Sequence, residues 1–279
     1  MWQFALGGLG WHPDLPDPRD YTPEHEQVAR LLGQLKARRR PASQVDWREF
    51  CPAPNDHARA EASAADACLG LTGYFLRCAT GEVLDPSAMF IHQAAQRVQG
   101  WRGSGRCELR ATWKTILRFG IPPEAVWPYD PAAMDREPDA FVYASARRFS
   151  ALRYVRVDPA AQSGEETLRR VKAFLAAGFA CVFGFPVSTA VSREPDIPFP
   201  TIFDAVRGGQ AVLAAGFDDG RRIRSDRGAL LVRTSWGQAW GEQGYGWLPY
   251  AYVRERLARD FWTVVEPEWL ASGEFHRPE

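Results

Sequence analysis

The sequence has no surplus of charge of either sign: 34 Lys and Arg stand against 34 Asp and Glu in 279 residues. Without a net positive field there is no general attraction to nucleic acid or to an anionic bilayer, so neither is expected as a partner. Long apolar runs are missing too. The longest candidate, Phe174 to Val187, is too short to span a membrane and is interrupted by Gly178 and Gly184. The first twenty residues show neither the basic stretch nor the sustained apolar stretch of a secretory leader. Cysteine is scarce and odd in number, at positions 51, 68, 78, 107 and 181, with no CxxC among them. Together these absences point to reduced thiols and a cytoplasmic location. The five histidines are scattered and no Cys/His spacing suits zinc, so no metal and no cofactor is expected. Glycine (24) and proline (21) together fall short of a disordered composition, and no internal repeat or low-complexity tract is found.

What is present suits a packed core, with 46% hydrophobic and 13% aromatic residues in a length fitting one large domain or two lobes. Residues 11–23, rich in Pro and Asp, read as an extended arm. Glu24 to Arg39 reads as an amphipathic helix, with Val28, Leu31, Leu32 and Leu35 on one stripe. Its basic end, Lys36 to Arg40, is stopped by Pro41 and is read as a helix terminus and linker rather than a nucleic-acid patch. A second helical pattern, Ala64, Ala67, Cys68, Leu71, Tyr74, Phe75 and Cys78, runs to Gly81 and should be the central helix. Further helices are expected near 86–98, opened by the Asp85-Pro86 cap, near 108–119, closed by Gly120, and near 164–177. Past residue 145 the segments are mostly short and β-rich: 180–185, 211–217, 229–233, 246–248 and 261–265, separated by turns such as Asp219-Gly220. A helical first half and a strand-rich second half predict an α+β protein of two lobes.

The most specific stretch is Arg233-Thr-Ser-Trp-Gly-Gln-Ala-Trp-Gly-Glu-Gln-Gly-Tyr-Gly-Trp247. It resembles the NSWGxxWGxxGYG signature of papain-like (cathepsin-like) cysteine peptidases. Other matches follow in the same order: Val45–Arg48 (VDWR), Asp56 in place of the DQG motif, Leu84–Ile91, Trp127-Pro-Tyr129, and Gly208-Gly209 at the GGHAV motif. The likeness covers residues 45–266. It implies a mainly helical lobe over 45–144, a mainly β lobe of barrel type over 145–266, and an interlobe cleft that binds an extended peptide. Residues 1–44 then form an N-terminal arm and helix, either propeptide-like or an integral cap, and 267–279 a tail.

That family's chemistry needs a cysteine at the start of the central helix, where the helix dipole and a histidine favour the thiolate. It also needs an asparagine to orient the histidine and a glutamine in the oxyanion hole. Here Ser63 stands in the cysteine position, Gln210 in the histidine position, Thr234 in the asparagine position and His57 in the glutamine position. Glu61 and Ala62 replace the Gly-Ser before the nucleophile. A cleft lined by His57, Glu61, Ala62, Ser63, Gly208, Gly209, Gln210, Thr234 and Trp236 is expected to bind without cleaving. Serine needs a base, and an amide is not one. Cys68 lies more than a turn inside the helix on its apolar stripe and is read as a packing group.

The resemblance thus implies a bacterial-type pseudopeptidase that binds a peptide, a protein segment or a small amide or acyl ligand, as a scaffold or regulator of an active partner protein. An alternative stays open: His57 activates Ser63 for hydrolysis or acyl transfer on an amide substrate, with Asp56, Glu61 or Asp66 orienting the ring. Against it, His57 fills the space of the lost glutamine and Ser63 caps the helix. A purely structural assembly subunit is the third possibility.

Overall fold

The computed structural model describes residues 9–22, 24–26, 28–30, 42–56, 61–101, 105–149, 152–159 and 162–265. Six α-helices are described: α1 (Ser63–Thr80), α2 (Ala88–Val98), α3 (Leu109–Phe119), α4 (Ala140–Ala144), α5 (Gly164–Ala176) and α6 (Ala251–Arg254). The strands are β1 (Gln44–Asp46), β2 (Arg153–Arg156), β3 (Cys181–Ser188), β4 (Val206–Ile223), β5 (Asp226–Arg233), β6 (Tyr245–Pro249) and β7 (Arg259–Val265).

Helix α1 is the spine. Its expected stripe is buried throughout, from Ala64 to Cys78, and the helix ends where Gly81 takes the left-handed conformation (φ 74°). It packs on α2 and α3 on one side and on β3 and β4 on the other, so one helix serves both halves of the core. Helix α2 is capped by Ser87, whose Oγ accepts from the Phe90 amide, and not by the expected Asp85-Pro86 pair. Ser63 is not a cap either. Ala62 holds that position, and Ser63 is the first residue inside α1, its hydroxyl committed elsewhere.

The seven strands form one antiparallel sheet in the order β2-β7-β3-β4-β5-β6, with β1 added to β4. The β3–β4 ladder runs from Cys181↔Ala214 to Ser188↔Val206, and its residues are almost all buried because α1 and α5 cover it. The Val45 segment, expected at the start of the helical lobe, therefore lies on the sheet, paired with Phe217. The helix expected over Glu24 to Arg39 is helical at residues 26 and 28–30, where Val28 is buried; 31–41 lie outside the described residues, as does the tail expected at 267–279. Among the described residues no helix is long and apolar enough to cross a membrane.

Candidate functional site

Three elements meet at the start of α1. Ser63, at 1% exposure, accepts from the backbone N–H of Ala211 on β4 at 3.2 Å, which ties the helix N-terminus to the sheet. The neighbouring residue Gln210 is fully buried and donates through Nε2 to Ser235 Oγ at 3.0 Å. Its Oε1 finds no donor among the described residues. Thr234 sits beside Ser235 but faces its own loop: Oγ1 donates to the Gly244 carbonyl at 3.0 Å and accepts from the Trp236 amide at 3.3 Å. The structure thus gathers Ser63, Gln210 and Thr234 around one junction, with a hydroxyl, an amide and a hydroxyl as the available groups. None of these is a base near neutral pH.

The second donor to Ser63 Oγ comes from outside the two halves. It is the amide of Gly10, at 3.2 Å. Residues 9–14 run between β4 and the segment before α3, with isolated bridges from Gly10 to Gly209 on one side and from Trp11 to Cys107 on the other. Trp11 N–H donates to the Gly209 carbonyl (3.0 Å) on β4, while His12 N–H donates to the Cys107 carbonyl (3.1 Å) and Cys107 N–H to the Gly10 carbonyl (2.8 Å), just before α3. Backbone amides and carbonyls of an extended chain pair with exposed strand edges in this way whatever the sequence. Side chains add specificity. The Trp11 indole is 5% exposed and lies flat against Gly184, where any β-carbon would occupy the ring's place. Gly10 fits so closely under Glu61 that a β-carbon there would overlap the Glu61 carbonyl oxygen. Glu61 itself takes a positive φ of 47°, unusual for a residue with a side chain.

Of the expected cleft residues, Glu61, Ala62, Ser63, Gly208 and Gly209 touch the arm or sit beside it; Leu9 packs on Gly208. Gln210 precedes Ala211, the β4 donor to Ser63, and Thr234 precedes Ser235, the acceptor of the Gln210 amide. Trp236 is buried edge-on against Trp240, with ring centroids 4.6 Å apart, and is a wall residue. His57 lies outside the described residues. Asp66, considered as an orienter for that ring, is committed elsewhere: its Oδ2 pairs with Arg233 Nη1 at 2.7 Å and its Oδ1 accepts from Asn55 at 2.9 Å. Arg233 also donates to the Pro52 and Ala53 carbonyls (2.9 and 2.8 Å) and is 1% exposed, so this ion pair staples α1 to β5 next to Thr234. Neither residue carried a signal for that pairing in the sequence beyond being charged within an apolar segment.

The cysteines offer no replacement nucleophile. All five are buried, and none is in a disulfide among the described residues. Burial drives the Cys68 thiol well above its ordinary value and pushes Cys51 up to about 12. Cys107 is raised as well, again by burial, although His92 Nδ1 lies 3.6 Å from its sulfur. A thiol held in its neutral form is a poor nucleophile.

No protein-family model matches the chain. Among curated proteins it is 32% identical over 190 residues to an uncharacterized peptidase C1-like protein of Acanthamoeba polyphaga mimivirus, covering 65% of this chain and 59% of that protein. The chain therefore spans under two thirds of the length of that relative. Among solved structures, xylellain, a cysteine protease from Xylella fastidiosa, superposes with a TM-score of 0.75 at 28% identity, covering 95% of this chain and 98% of its own. Procathepsin B S9 from Trypanosoma congolense shares the fold, with a TM-score of 0.63 at 17% identity over 94% of this chain and 85% of its own. With the helix-on-sheet architecture and the ordered motifs, these likenesses show that the chain has the fold of the papain-like cysteine peptidases and is similar to them in sequence.

Proposed function

We propose that this protein is a papain-fold pseudopeptidase: a binding module whose interlobe cleft holds an extended peptide segment and does not cut it. The observation that carries this reading is the environment of Ser63 Oγ, which receives two backbone N–H groups, from Gly10 and Ala211. Where the peptidase mechanism needs an imidazole and its orienting amide, the chain has Gln210 and Thr234, each turned to a partner of its own. Loss of triad members typically costs several orders of magnitude in rate. The cleft walls still present backbone hydrogen-bonding groups and a socket for a large ring, which is sufficient for binding. The segment seated there is the protein's own residues 9–14. In trans, the ligand would be a peptide or protein tail of the same extended kind, offered by an active partner protein, in a reducing cytoplasm, bacterial by motif likeness.

The test compares the wild type with the triple variant Ser63→Cys, Gln210→His, Thr234→Asn. Both are assayed with fluorogenic peptides, a thiol-directed epoxide and a serine-directed fluorophosphonate, with and without Trp11→Ala to free the cleft. The proposal expects no turnover and no labelling of the wild type in either background, and epoxide labelling of the thiol introduced at position 63 in the opened triple variant. Fluorophosphonate labelling of Ser63, lost in His57→Ala, would establish the hydrolase or acyltransferase reading in its place.

A further inference from the structure

The arm does more than lie in the cleft; a charged cluster holds its far end. Asp14 is 7% exposed and makes three hydrogen bonds. Its own N–H donates to Asp260 Oδ2 (2.8 Å), its Oδ1 accepts from the Arg110 amide (3.2 Å), and its Oδ2 accepts from Trp262 Nε1 (2.7 Å). Six residues on, Asp20 receives a two-pronged bond from Arg110 at 2.8 and 2.6 Å. On the sheet side, Arg156 reaches Asp260 at 2.6 Å, Asp158 at 3.3 Å and Asp20 at 3.7 Å. Asp158 accepts the backbone N–H groups of Asp260 and Phe261, and Asp260 sits at a positive φ of 59°. Both guanidinium groups lie over Trp262, at 5.6 and 5.5 Å. The arm is thus pinned to α3 through Arg110 and to β2 and β7 through Arg156, Asp260 and Trp262.

The charges in this cluster do not balance. Among the described residues, Asp14, Asp20, Asp158 and Asp260 find their close cationic partners in Arg110 and Arg156; the other titratable neighbours are Tyr154 on β2, the Cys68 and Cys181 thiols, and the Asp17–Arg19 pair, which is satisfied within the arm. A dry site cannot hold four carboxylates against two cations without taking up protons. We propose that Asp14 and Asp260 form a proton-dependent latch, which keeps residues 9–14 in the cleft under acidic conditions and loosens them as the pH rises through neutrality. The latch builds on the cleft occupancy proposed above and regulates that same site.

The direction follows from the titration. Burial, and then the neighbouring Asp260 charge, push Asp14 up to about 7; burial and then Asp158 push Asp260 up to about 6. Freed into water, an aspartic acid titrates near its ordinary value of about 4. The docked arm therefore holds protons that the free arm surrenders. Between about pH 4 and pH 7 each rise in pH favours release, and above that range the dependence levels off.

Amide hydrogen exchange on the intact chain, corrected for the intrinsic pH dependence of exchange, reads the latch directly. The amides of Gly10, Trp11 and His12 report the arm, and those of β3 and β4 report the folded body. Protection of the arm amides is expected to fall at least tenfold from pH 5.5 to pH 8.0 while the sheet changes little. In Asp14→Asn the fall in arm protection across that range should shrink to at most about fivefold, the part left to Asp260, whatever its level. If that variant leaves the arm unprotected at both pH values, Asp260→Asn is read instead, and its fall should be smaller than that of the wild type. Wild-type protection that does not change with pH overturns the latch, and so does an undiminished pH dependence in the neutral variants. Either result leaves the labelling test of the pseudopeptidase reading untouched, because exchange reports where the arm is and not what Ser63 does.

Discussion

Truncating Trp11 to alanine should open the arm while leaving the two-lobed body folded. The indole is 5% exposed and rests on Gly184, so nearly its whole surface is removed from water. A buried tryptophan covers about 200 Å², which at about 25 cal/mol per Å² gives about 5 kcal/mol. Large-to-small changes at buried aromatics cost about 3–5 kcal/mol. The arm packs on the body as a separate segment and can relax around the cavity, so the lower figure, about 3 kcal/mol, is the better expectation. That is about a hundredfold in the opening equilibrium, at about 1.4 kcal/mol for each factor of ten. Native-state exchange of the Gly10 and His12 amides should accelerate by that factor, with the β3 and β4 amides as the internal reference. Trp11→Phe should recover most of the loss, because the indole N–H has no acceptor among the described residues and contributes only bulk. Arm amides as protected in Trp11→Ala as in the wild type would refute the socket argument. Equal acceleration everywhere would show that Trp11 belongs to the global core and not to a separable arm.

Other outcomes follow from the same contacts. Gly184→Val should release the arm about as strongly as Trp11→Ala, and the two changes together should cost far less than their sum, since either one empties the socket; a denaturant and exchange double-mutant cycle measures this. Arg233→Ala should destabilise the protein by about 3–5 kcal/mol in chemical denaturation, because Asp66 is then left buried without its cation. The milder loss expected on replacing both partners with apolar residues of similar volume separates the cost of an orphaned charge from lost packing. A thiol reagent at pH 8 should find none of the five cysteines in the native protein and all five in guanidinium, because all are buried and burial raises Cys51, Cys68, Cys107 and Cys181 above their ordinary values. Rapid native labelling of any one would contradict its burial.

Much of the fold was legible in the chain because it rests on local rules. The stripe from Ala64 to Cys78 has helical spacing and ends at a glycine that takes the left-handed turn, and α1 runs from Ser63 to Thr80. The β-rich segments expected after residue 145 overlap β3 to β7, most of which run on beyond the expected bounds at one end or both, as at β4, where pairing with both β3 and β5 lengthens the strand beyond its apolar centre. The short strands β1 and β2 carried too few residues for a period to show. The positions of Ser63, Gln210 and Thr234 came from ordered motifs, whose spacing is a property of the chain alone.

Contacts between distant segments were a different matter. A proline- and aspartate-rich arm announces that it is extended, but not where it lies. The Asp14 carboxylate meets Trp262 across 248 positions, and Asp66 meets Arg233 across 167. Composition and periodicity report how a residue prefers to sit relative to its own neighbours in the chain. They carry no address for a partner brought near by folding. The sequence by itself determined the two-part architecture and which side chains stand at the head of the central helix. Tertiary structure alone decided that a backbone amide of the arm covers that serine, that Gly184 leaves room for Trp11, and that four carboxylates share two arginines. Each of those depends on surfaces that exist only once the lobes have closed on one another.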